Sequence, residues 1–361
     1  MSSRRSPLLA AGVLALLAVL AAVAYFGADV AGTQEAGAPA DPAGVPDGEP
    51  VARVAAQVEP SVVQVNVQEV QETPFGTQEG EGVGSGIIYR EDGYILTNTH
   101  VVEGASEVNI AFADGTTEQG EVVGTDPATD LAVVRVDRRG LPAASFGDAR
   151  DLTVGQMAVA VGSPSGFQST ITSGVVSGVG REVPAELTGG RQETALVDLI
   201  QTDAAISPGS SGGALANRNG EVVGINVAYL PPAETGAESI GFAIPAYTAT
   251  AVADQLIENG EAVGPYMGVS LTDLAPETAR RFGVEAESGA LVAEVEPDGP
   301  AARAGIQAGD VVTAVGEQEV RGSGDLLSAL RRYVPGDRVE VTVLRDGAEE
   351  RVNLRLGERA G

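Results

Sequence analysis

The chain has very few of the side chains that carry metal, thiol or amine chemistry. Its 361 residues include no cysteine and one histidine, His100, and all 22 basic residues are arginine. Thiolate nucleophiles, Cys/His zinc sites and two-histidine metal centres are excluded, because their ligands are missing. Without lysine, Schiff-base catalysis and a Ser-Lys dyad are excluded as well. Hydroxyl groups, carboxylates, arginine and a single imidazole remain as the reactive groups.

Positive charge is scarce too. Carboxylates outnumber arginines 50 to 22, which gives a formal net charge of −28. Nucleic-acid binding needs clustered basic residues, so the composition argues against a nucleic-acid partner. An acidic, lysine-free chain resembles proteins of salt-loving microbes in composition. The hydrophobic content of 43% is enough for two ordinary domains with their own cores.

An uncharged apolar segment spans residues 7–26, after Arg4 and Arg5 and before Asp29. Its twenty residues are long enough to cross a bilayer as a helix, and the preceding arginines place the N-terminus in the cytoplasm. We predict a retained signal anchor within residues 1–27, with a cleaved signal peptide as the alternative. Either interpretation places the rest of the chain outside the cytoplasmic membrane.

Residues 28–50 are rich in Ala, Gly, Pro, Asp and Glu, which predicts a flexible acidic linker. After it, short β-rich runs separated by glycine-rich turns indicate an all-β barrel or sandwich rather than βαβ units. These runs lie at 61–67, 86–89, 94–97, 108–112, 131–136, 157–162, 173–179, 199–202 and 221–228. An apolar stripe at helical spacing then stops at Gly260. We predict that a helix over residues 246–259 closes a first domain at 51–260.

Three candidate catalytic residues occur in the order His100, Asp130, Ser211. A neutral imidazole is the usual base for a serine hydroxyl, because its unperturbed pKa of about 6.5 lies near neutral pH. A carboxylate at the entrance of an apolar strand can bond the other imidazole nitrogen, and Asp126 and Asp203 are alternatives for that role. The order His, Asp, Ser is that of the chymotrypsin double barrel.

The segment Gly209-Ser210-Ser211-Gly212-Gly213 suits a nucleophile beside an oxyanion hole. The glycine and the serine can direct two backbone N–H groups at one point, and the following glycines let the chain turn without Cβ clashes. A Gly/Ser-rich turn is usually only a loop, and a single histidine is more often structural. The prediction therefore depends on all three residues occurring in order within a β-rich chain.

Together these segments resemble the trypsin-like domain of the HtrA (Deg) family of serine proteases. The matching segments lie at 84–88, 92–102, 126–134, 200–206, 211–215 and 241–245. The resemblance implies a mostly β chain with a chymotrypsin-like double β-barrel, in which Ser211 is the nucleophile, His100 the base and Asp130 its orienter.

The same resemblance implies further roles. The backbone N–H groups of Gly209 and Ser211 would form the oxyanion hole, and Asn226-Val227-Ala228 would pair with the substrate backbone. Ser210 departs from the family, which usually has Asn before the nucleophile.

Residues 264–358 resemble the PDZ domain (α+β) of that family. Tyr266-Met267-Gly268-Val269 matches the carboxylate-binding loop, and 325–333 reads as the groove helix. PDZ domains add an extended peptide to a sheet edge and bind its terminal carboxylate with backbone N–H groups. Val263-Gly264-Pro265 provides no basic residue before the loop, so we expect weaker carboxylate binding. Candidates for the apolar pocket, each leucine equally suited to a core, are Met267, Val269, Leu271, Leu326 and Leu330.

The resemblance thus implies a membrane-tethered serine endopeptidase that cleaves unfolded or damaged proteins, with a PDZ domain for substrate or regulatory peptides. It also implies a homotrimer that needs neither ATP nor a metal or other cofactor. The alternative is a catalytically silent PDZ adaptor or chaperone-like holdase, which a complete His/Asp/Ser set disfavours.

Overall fold

The structure is a computed structural model, and it describes residues 48–73, 76–163, 169–184, 195–230, 240–274 and 288–360. The predicted signal segment at 1–27 and nearly all of the predicted linker lie outside the described residues. Within the part of the chain that is described, no helix is long and apolar enough to cross a bilayer.

The first domain begins with a helix and a closed six-stranded antiparallel barrel. Helix α1 starts at a proline in its first turn and buries Val54, Ala55 and Val58. The barrel strands are paired in the order β1-β2-β3-β6-β5-β4. The elements are α1 (Pro50–Val58), β1 (Val62–Thr73), β2 (Gly76–Ile88), β3 (Tyr94–Thr97), α2 (Thr99–Val102), β4 (Ala105–Ala111), β5 (Thr117–Asp126) and β6 (Leu131–Arg135).

A second closed barrel follows, paired in the order β10-β11-β12-β9-β8-β7. Its strands are β7 (Met157–Gly162), β8 (Thr170–Val183), β9 (Leu196–Thr202), β10 (Ala214–Ala216), β11 (Val222–Leu230) and β12 (Ile240–Pro245). Helix α3 (Ala246–Asn259) has the predicted bounds, and Gly260 ends it with φ 77° and an N–H bond to the Leu256 carbonyl.

The two barrels share an apolar interface in addition to their own interiors. The side chains of β6 alternate between the interior of the first barrel and this interface. Ala132 and Val134 point into the first barrel, whereas Leu131 and Val133 belong to a cluster that also contains Val161 of the second barrel. A strand that is buried on both faces therefore reads as a continuous apolar run in the sequence.

In the described residues of the C-terminal domain, an antiparallel sheet is combined with two helices. The sheet is paired in the order β14-β15-β16-β18-β19, with β17 against β16 and a separate β13-β20 pair. Its elements are β13 (Val263–Tyr266), β14 (Val269–Asp273), β15 (Ala290–Val295), α4 (Pro300–Ala304), β16 (Val311–Val315), β17 (Gln318–Glu319), α5 (Ser323–Leu330), β18 (Arg338–Arg345), β19 (Ala348–Arg355) and β20 (Gly357–Ala360).

Three candidates for the apolar peptide pocket are buried in the core of the C-terminal domain. Met267, Leu326 and Leu330 are 2%, 0% and 5% exposed and pack in one cluster with strands of the sheet. Leu326 and Leu330 lie on the face of α5 that packs on the sheet, and Met267 lies between β13 and β14. Val269 and Leu271 are only partly buried against that cluster, and Leu327 of α5 is 41% exposed.

Candidate active site

His100 and Asp130 meet at the junction of α2 and the turn between β5 and β6. Asp130 Oδ2 lies 2.7 Å from His100 Nδ1, and Asp130 Oδ1 accepts the backbone N–H of His100 at 3.0 Å. The carboxylate is fully buried, whereas the imidazole keeps 12% of its surface exposed. Both oxygens of one buried carboxylate therefore bind one residue, which fixes the orientation of the imidazole.

Asp130 reaches His100 from a backbone conformation that is uncommon for residues other than glycine. Asp130 has φ 58°, in the left-handed region that aspartate tolerates better than most residues. Its carbonyl accepts hydrogen bonds from Asn98 Nδ2 at 2.9 Å and from the Thr99 N–H at 3.2 Å. The residues that start α2 thus hold the turn that carries Asp130.

The two alternative aspartates are bound elsewhere. Asp126 Oδ2 accepts the Thr129 hydroxyl at 2.6 Å, and its buried Oδ1 has no partner among the described residues. Burial raises the pKa of Asp126. Asp203 Oδ1 accepts the Val175 N–H at 2.6 Å. The structure places Asp130, and neither of these, against His100.

Ser211 lies in the glycine-rich turn before β10. Gly209 and Gly212 have φ 89° and 84°, a conformation that glycine adopts without strain. A Cβ on Gly212 would also collide with the Ser85 carbonyl oxygen. The turn is closed by the Gly212 N–H to the Asn226 carbonyl at 2.8 Å and by the Gly213 N–H to the Ser210 carbonyl at 3.0 Å.

The Ser211 hydroxyl donates to the Val227 carbonyl of β11 at 3.4 Å. None of the hydrogen bonds among the described residues joins it to His100. Proton transfer to the imidazole therefore requires the hydroxyl to leave Val227. Catalytic hydrogen bonds are often long or misaligned before substrate binds and shorten only in the complex.

The two backbone N–H groups predicted for the oxyanion hole are not used by a backbone acceptor within the described ranges. The carbonyls of the same two residues bind Ser85. Gly209 O accepts the Ser85 hydroxyl at 2.7 Å, and Ser211 O accepts the Ser85 N–H at 2.8 Å.

Ser85 contacts the turn that carries Ser211, and the sequence reasoning gave it no role. Its hydroxyl also accepts the Ser163 N–H at 2.8 Å, and its carbonyl accepts the Thr97 hydroxyl at 2.7 Å. Ser85 belongs to β2 of the first barrel, so it connects that barrel to the nucleophile turn of the second. Its flanking glycines were a signal, because a Cβ on Gly84 or Gly86 would collide with neighbouring side chains.

The predicted substrate strand is partly engaged in the turn itself. The N–H of Asn226 donates to the Gly213 carbonyl, and the Asn226 carbonyl accepts from Gly212. Ala228 is paired with Phe242 of β12 across a bulge. Within the predicted trio, the Val227 carbonyl is the group that faces Ser211.

The predicted carboxylate-binding loop has its carbonyls turned inward. Met267 O accepts the Ala301 N–H at 2.8 Å, and Gly268 O accepts the Glu296 N–H at 2.9 Å. A trans peptide points its N–H opposite to its C=O, so the N–H groups of Gly268 and Val269 face away from those partners. The Arg359 guanidinium, 5.7 Å from the centre of the Tyr266 ring, provides a cation from β20 that the sequence reasoning missed.

Two adjoining barrels with a His/Asp pair and a glycine-framed serine at their junction define a trypsin-like serine peptidase fold, here followed by a smaller α+β domain. The Trypsin-like peptidase domain family matches residues 84–225, and the PDZ domain family matches residues 265–356. The chain belongs to the HtrA family, as the matches to whole proteins show.

The similar proteins include two curated relatives and a solved structure. A probable periplasmic DegP-like serine endoprotease of Halomonas elongata is 43% identical over 282 residues, which cover 78% of this chain and 58% of the relative. The Serine protease Do-like HtrB of Bacillus subtilis is 37% identical over 327 residues, covering 85% of this chain and 70% of the relative. The structure of the HtrA-type protease AlgW with decapeptide has a TM-score of 0.66 at 34% identity, covering 86% of this chain and 98% of that one. The predicted family, double barrel and PDZ domain are thereby confirmed, and this chain spans less than two thirds of the DegP-like relative.

Proposed function

We propose that this protein is an ATP-independent serine endopeptidase that cleaves unfolded or damaged proteins outside the cytoplasmic membrane. The observation that carries the proposal is the binding of His100, the only histidine in the chain, by both oxygens of the buried Asp130 carboxylate: Oδ2 contacts the imidazole Nδ1, and Oδ1 accepts the backbone N–H. Burial of an unpaired carboxylate is costly, so an aspartate with no role beyond the turn would remain in water rather than be fully buried against a histidine.

In the proposed reaction, Ser211 Oγ attacks the scissile carbonyl while His100 Nε2 takes the hydroxyl proton. Asp130 keeps the second proton on Nδ1 and stabilises the imidazolium that forms. The N–H groups of Gly209 and Ser211 bind the oxyanion of the tetrahedral intermediate. His100 then protonates the leaving amine, and water hydrolyses the acyl-enzyme by the same route.

Unfolded chains are the proposed substrates because the site binds a backbone rather than a small pocket-filling group. Val227 lies on β11 beside the nucleophile, where an extended segment would add as a strand. A folded domain has few unpaired backbone groups to offer. We place protease and PDZ domains at 51–260 and 264–358, with residues 1–27 as membrane anchor or signal and 28–50 as linker.

The remaining proposals rest on the resemblance and on the relatives' names. The DegP-like relatives are described as periplasmic, which supports an extracytoplasmic location for this chain. The loop at Tyr266-Met267-Gly268-Val269 is the proposed site for hydrophobic C-terminal peptides, and the assembly is proposed to be a homotrimer.

A second candidate is a silent PDZ adaptor or holdase. The observation in its favour is the Ser211 hydroxyl, which bonds to Val227 instead of His100. The two candidates differ in one property, which is hydrolysis of the bound chain.

Digestion of unfolded casein separates them. The wild-type protein should cleave casein, and Ser211→Ala should abolish cleavage while leaving the melting temperature unchanged, because it removes one oxygen from a turn. His100→Ala should be as severe, and the double variant hardly worse than either, since such residues act as a unit. Ser106→Ala, which removes an exposed hydroxyl from β4, is the matched control and should cleave normally. Casein cleavage that survives Ser211→Ala would refute the proposal.

A further inference from the structure

One side chain of the PDZ domain reaches both barrels of the protease domain. Arg331 is the residue that ends α5, and it keeps a helical backbone conformation. Its Nη1 donates to the Val197 carbonyl of β9 at 3.0 Å, and its Nη2 donates to the Ala128 carbonyl at 3.2 Å. Ala128 belongs to the turn between β5 and β6, which is the turn that carries Asp130.

The backbone hydrogen bonds within that turn are long. The Thr129 N–H donates to the Asp126 carbonyl and the Asp130 N–H to the Pro127 carbonyl, both at 3.3 Å. These distances exceed the usual range for N–H···O bonds, and Asp130 itself has a positive φ. Besides the Thr129 hydroxyl bond to Asp126 Oδ2, two contacts from outside hold the turn: α2 bonds to the Asp130 carbonyl, and Arg331 bonds to the Ala128 carbonyl.

Charge supports the same contact. The Arg331 cation faces the carboxylates of Asp126 and Asp198, which favour its charged form against burial. In return, Arg331 opposes the rise that burial causes in the pKa of Asp126. Loss of this cation would leave a buried carboxylate in the turn without its compensating charge.

We propose that Arg331 is a positioning residue for the hydrolytic reaction, which holds the turn from Asp126 to Asp130 so that Asp130 stays on His100. This inference rests on the proposed function. Arg331 touches neither substrate nor reacting atoms, so its effect should fall on turnover rather than on binding of a short peptide.

A neighbouring contact provides a matched control. The Ser328 hydroxyl of α5 donates to Asp198 Oδ1 at 2.6 Å, and Tyr247 binds the other oxygen of the same carboxylate. This contact also joins the PDZ domain to β9, but it does not involve the turn of Asp130. Ser328→Ala therefore weakens the domain interface but leaves the hydrogen bonds of Arg331 to Val197 and Ala128 in place.

The experiment measures kcat and KM for a short unstructured peptide with the full chain. Arg331→Met keeps the apolar stem and removes all donors, and kcat should fall roughly tenfold while KM changes less than about twofold, because a charged hydrogen bond that sets active-site geometry is lost. The rate of labelling by a fluorophosphonate should fall in parallel. Arg331→Lys should recover most of the loss, and Ser328→Ala should stay within about twofold of wild type in kcat.

Three outcomes would overturn the inference: an unchanged kcat in Arg331→Met, an equal loss in Ser328→Ala, or a change confined to KM. If Arg331→Met is unfolded at the assay temperature, Arg331→Gln, which replaces the guanidinium by a neutral amide, is held to the same criteria. Absence of cleavage and labelling in the wild type, as in Ser211→Ala, would instead refute the proposed function. The two failures are therefore distinguishable.

Discussion

Replacement of Asp130 by asparagine tests the active-site geometry in detail. Asp130 accepts two hydrogen bonds from His100, one from the backbone N–H and one from Nδ1. The backbone N–H is a donor in every state, so the amide oxygen of an asparagine must face it. The amide NH2 group then faces Nδ1 and forces that nitrogen to accept, which moves the imidazole proton to Nε2. Nε2 can no longer take the Ser211 proton.

The expected loss in kcat is about 10⁴-fold, the size found for this substitution in a Ser-His-Asp enzyme. This corresponds to about 5.5 kcal/mol of transition-state stabilisation. The fold should survive, because the bond to the His100 N–H and the bonds of the Asp130 carbonyl to Asn98 and Thr99 remain.

The assay is hydrolysis of a short peptide by wild type, Asp130→Asn and Asp203→Asn, with melting temperatures for all three. Asp203 was an alternative orienter, and its amide variant can still accept the Val175 N–H, so its kcat should stay within about threefold of wild type. A loss below tenfold in a folded Asp130→Asn protein, or an equal loss in Asp203→Asn, would refute the reasoning.

Two further predictions concern neighbouring residues. Ser85→Ala leaves the Gly209 carbonyl and the Ser163 N–H without their partner, so the free energy of unfolding, measured in urea, should fall by about 1–3 kcal/mol. The kcat for peptide hydrolysis should fall as well. The control Ser106→Ala should change neither quantity. Burial raises the pKa of Asp126 above its ordinary 3.8, so the folded state favours the protonated form, and the contribution of Asp126 to stability is present at low pH and is lost as the pH rises through the raised value. Asp126→Asn does not titrate, and its free energy of unfolding relative to wild type should therefore increase from about pH 4 to pH 8; a constant difference across urea titrations would contradict this.

The hydrophobic pattern of the sequence predicted those helices and strands whose own residues determine where the element begins and ends. The apolar stripe and Gly260 gave α3 its bounds, and the short apolar runs gave β3 and β7 theirs. Strand β5 was missed because most of its side chains are exposed or half-buried, so it lacks a burial pattern of period two. Strand β10 is only three residues long. Both exist because neighbouring strands pair with them, which no local pattern reveals.

The site shows the same division. His100, Asp130 and Ser211 were singled out because the chain has a single imidazole and because the order His, Asp, Ser is that of the chymotrypsin double barrel. Ser85 and Arg331 were missed because their side chains bind backbone carbonyls that are distant in sequence. Every residue has a backbone carbonyl, so the sequence does not show which one is bound. Leu326 could not be assigned to core or groove until the rotation of α5 was known.

The central claim is that Ser211 is a nucleophile activated by His100. The most direct measurement is treatment of the full chain with a fluorophosphonate, followed by peptide mapping of the adduct by mass spectrometry. The account predicts a single adduct on Ser211, absent from Ser211→Ala and strongly slowed in His100→Ala, whereas Ser106→Ala labels like wild type. An adduct on another serine, or casein cleavage without any adduct on Ser211, would contradict it.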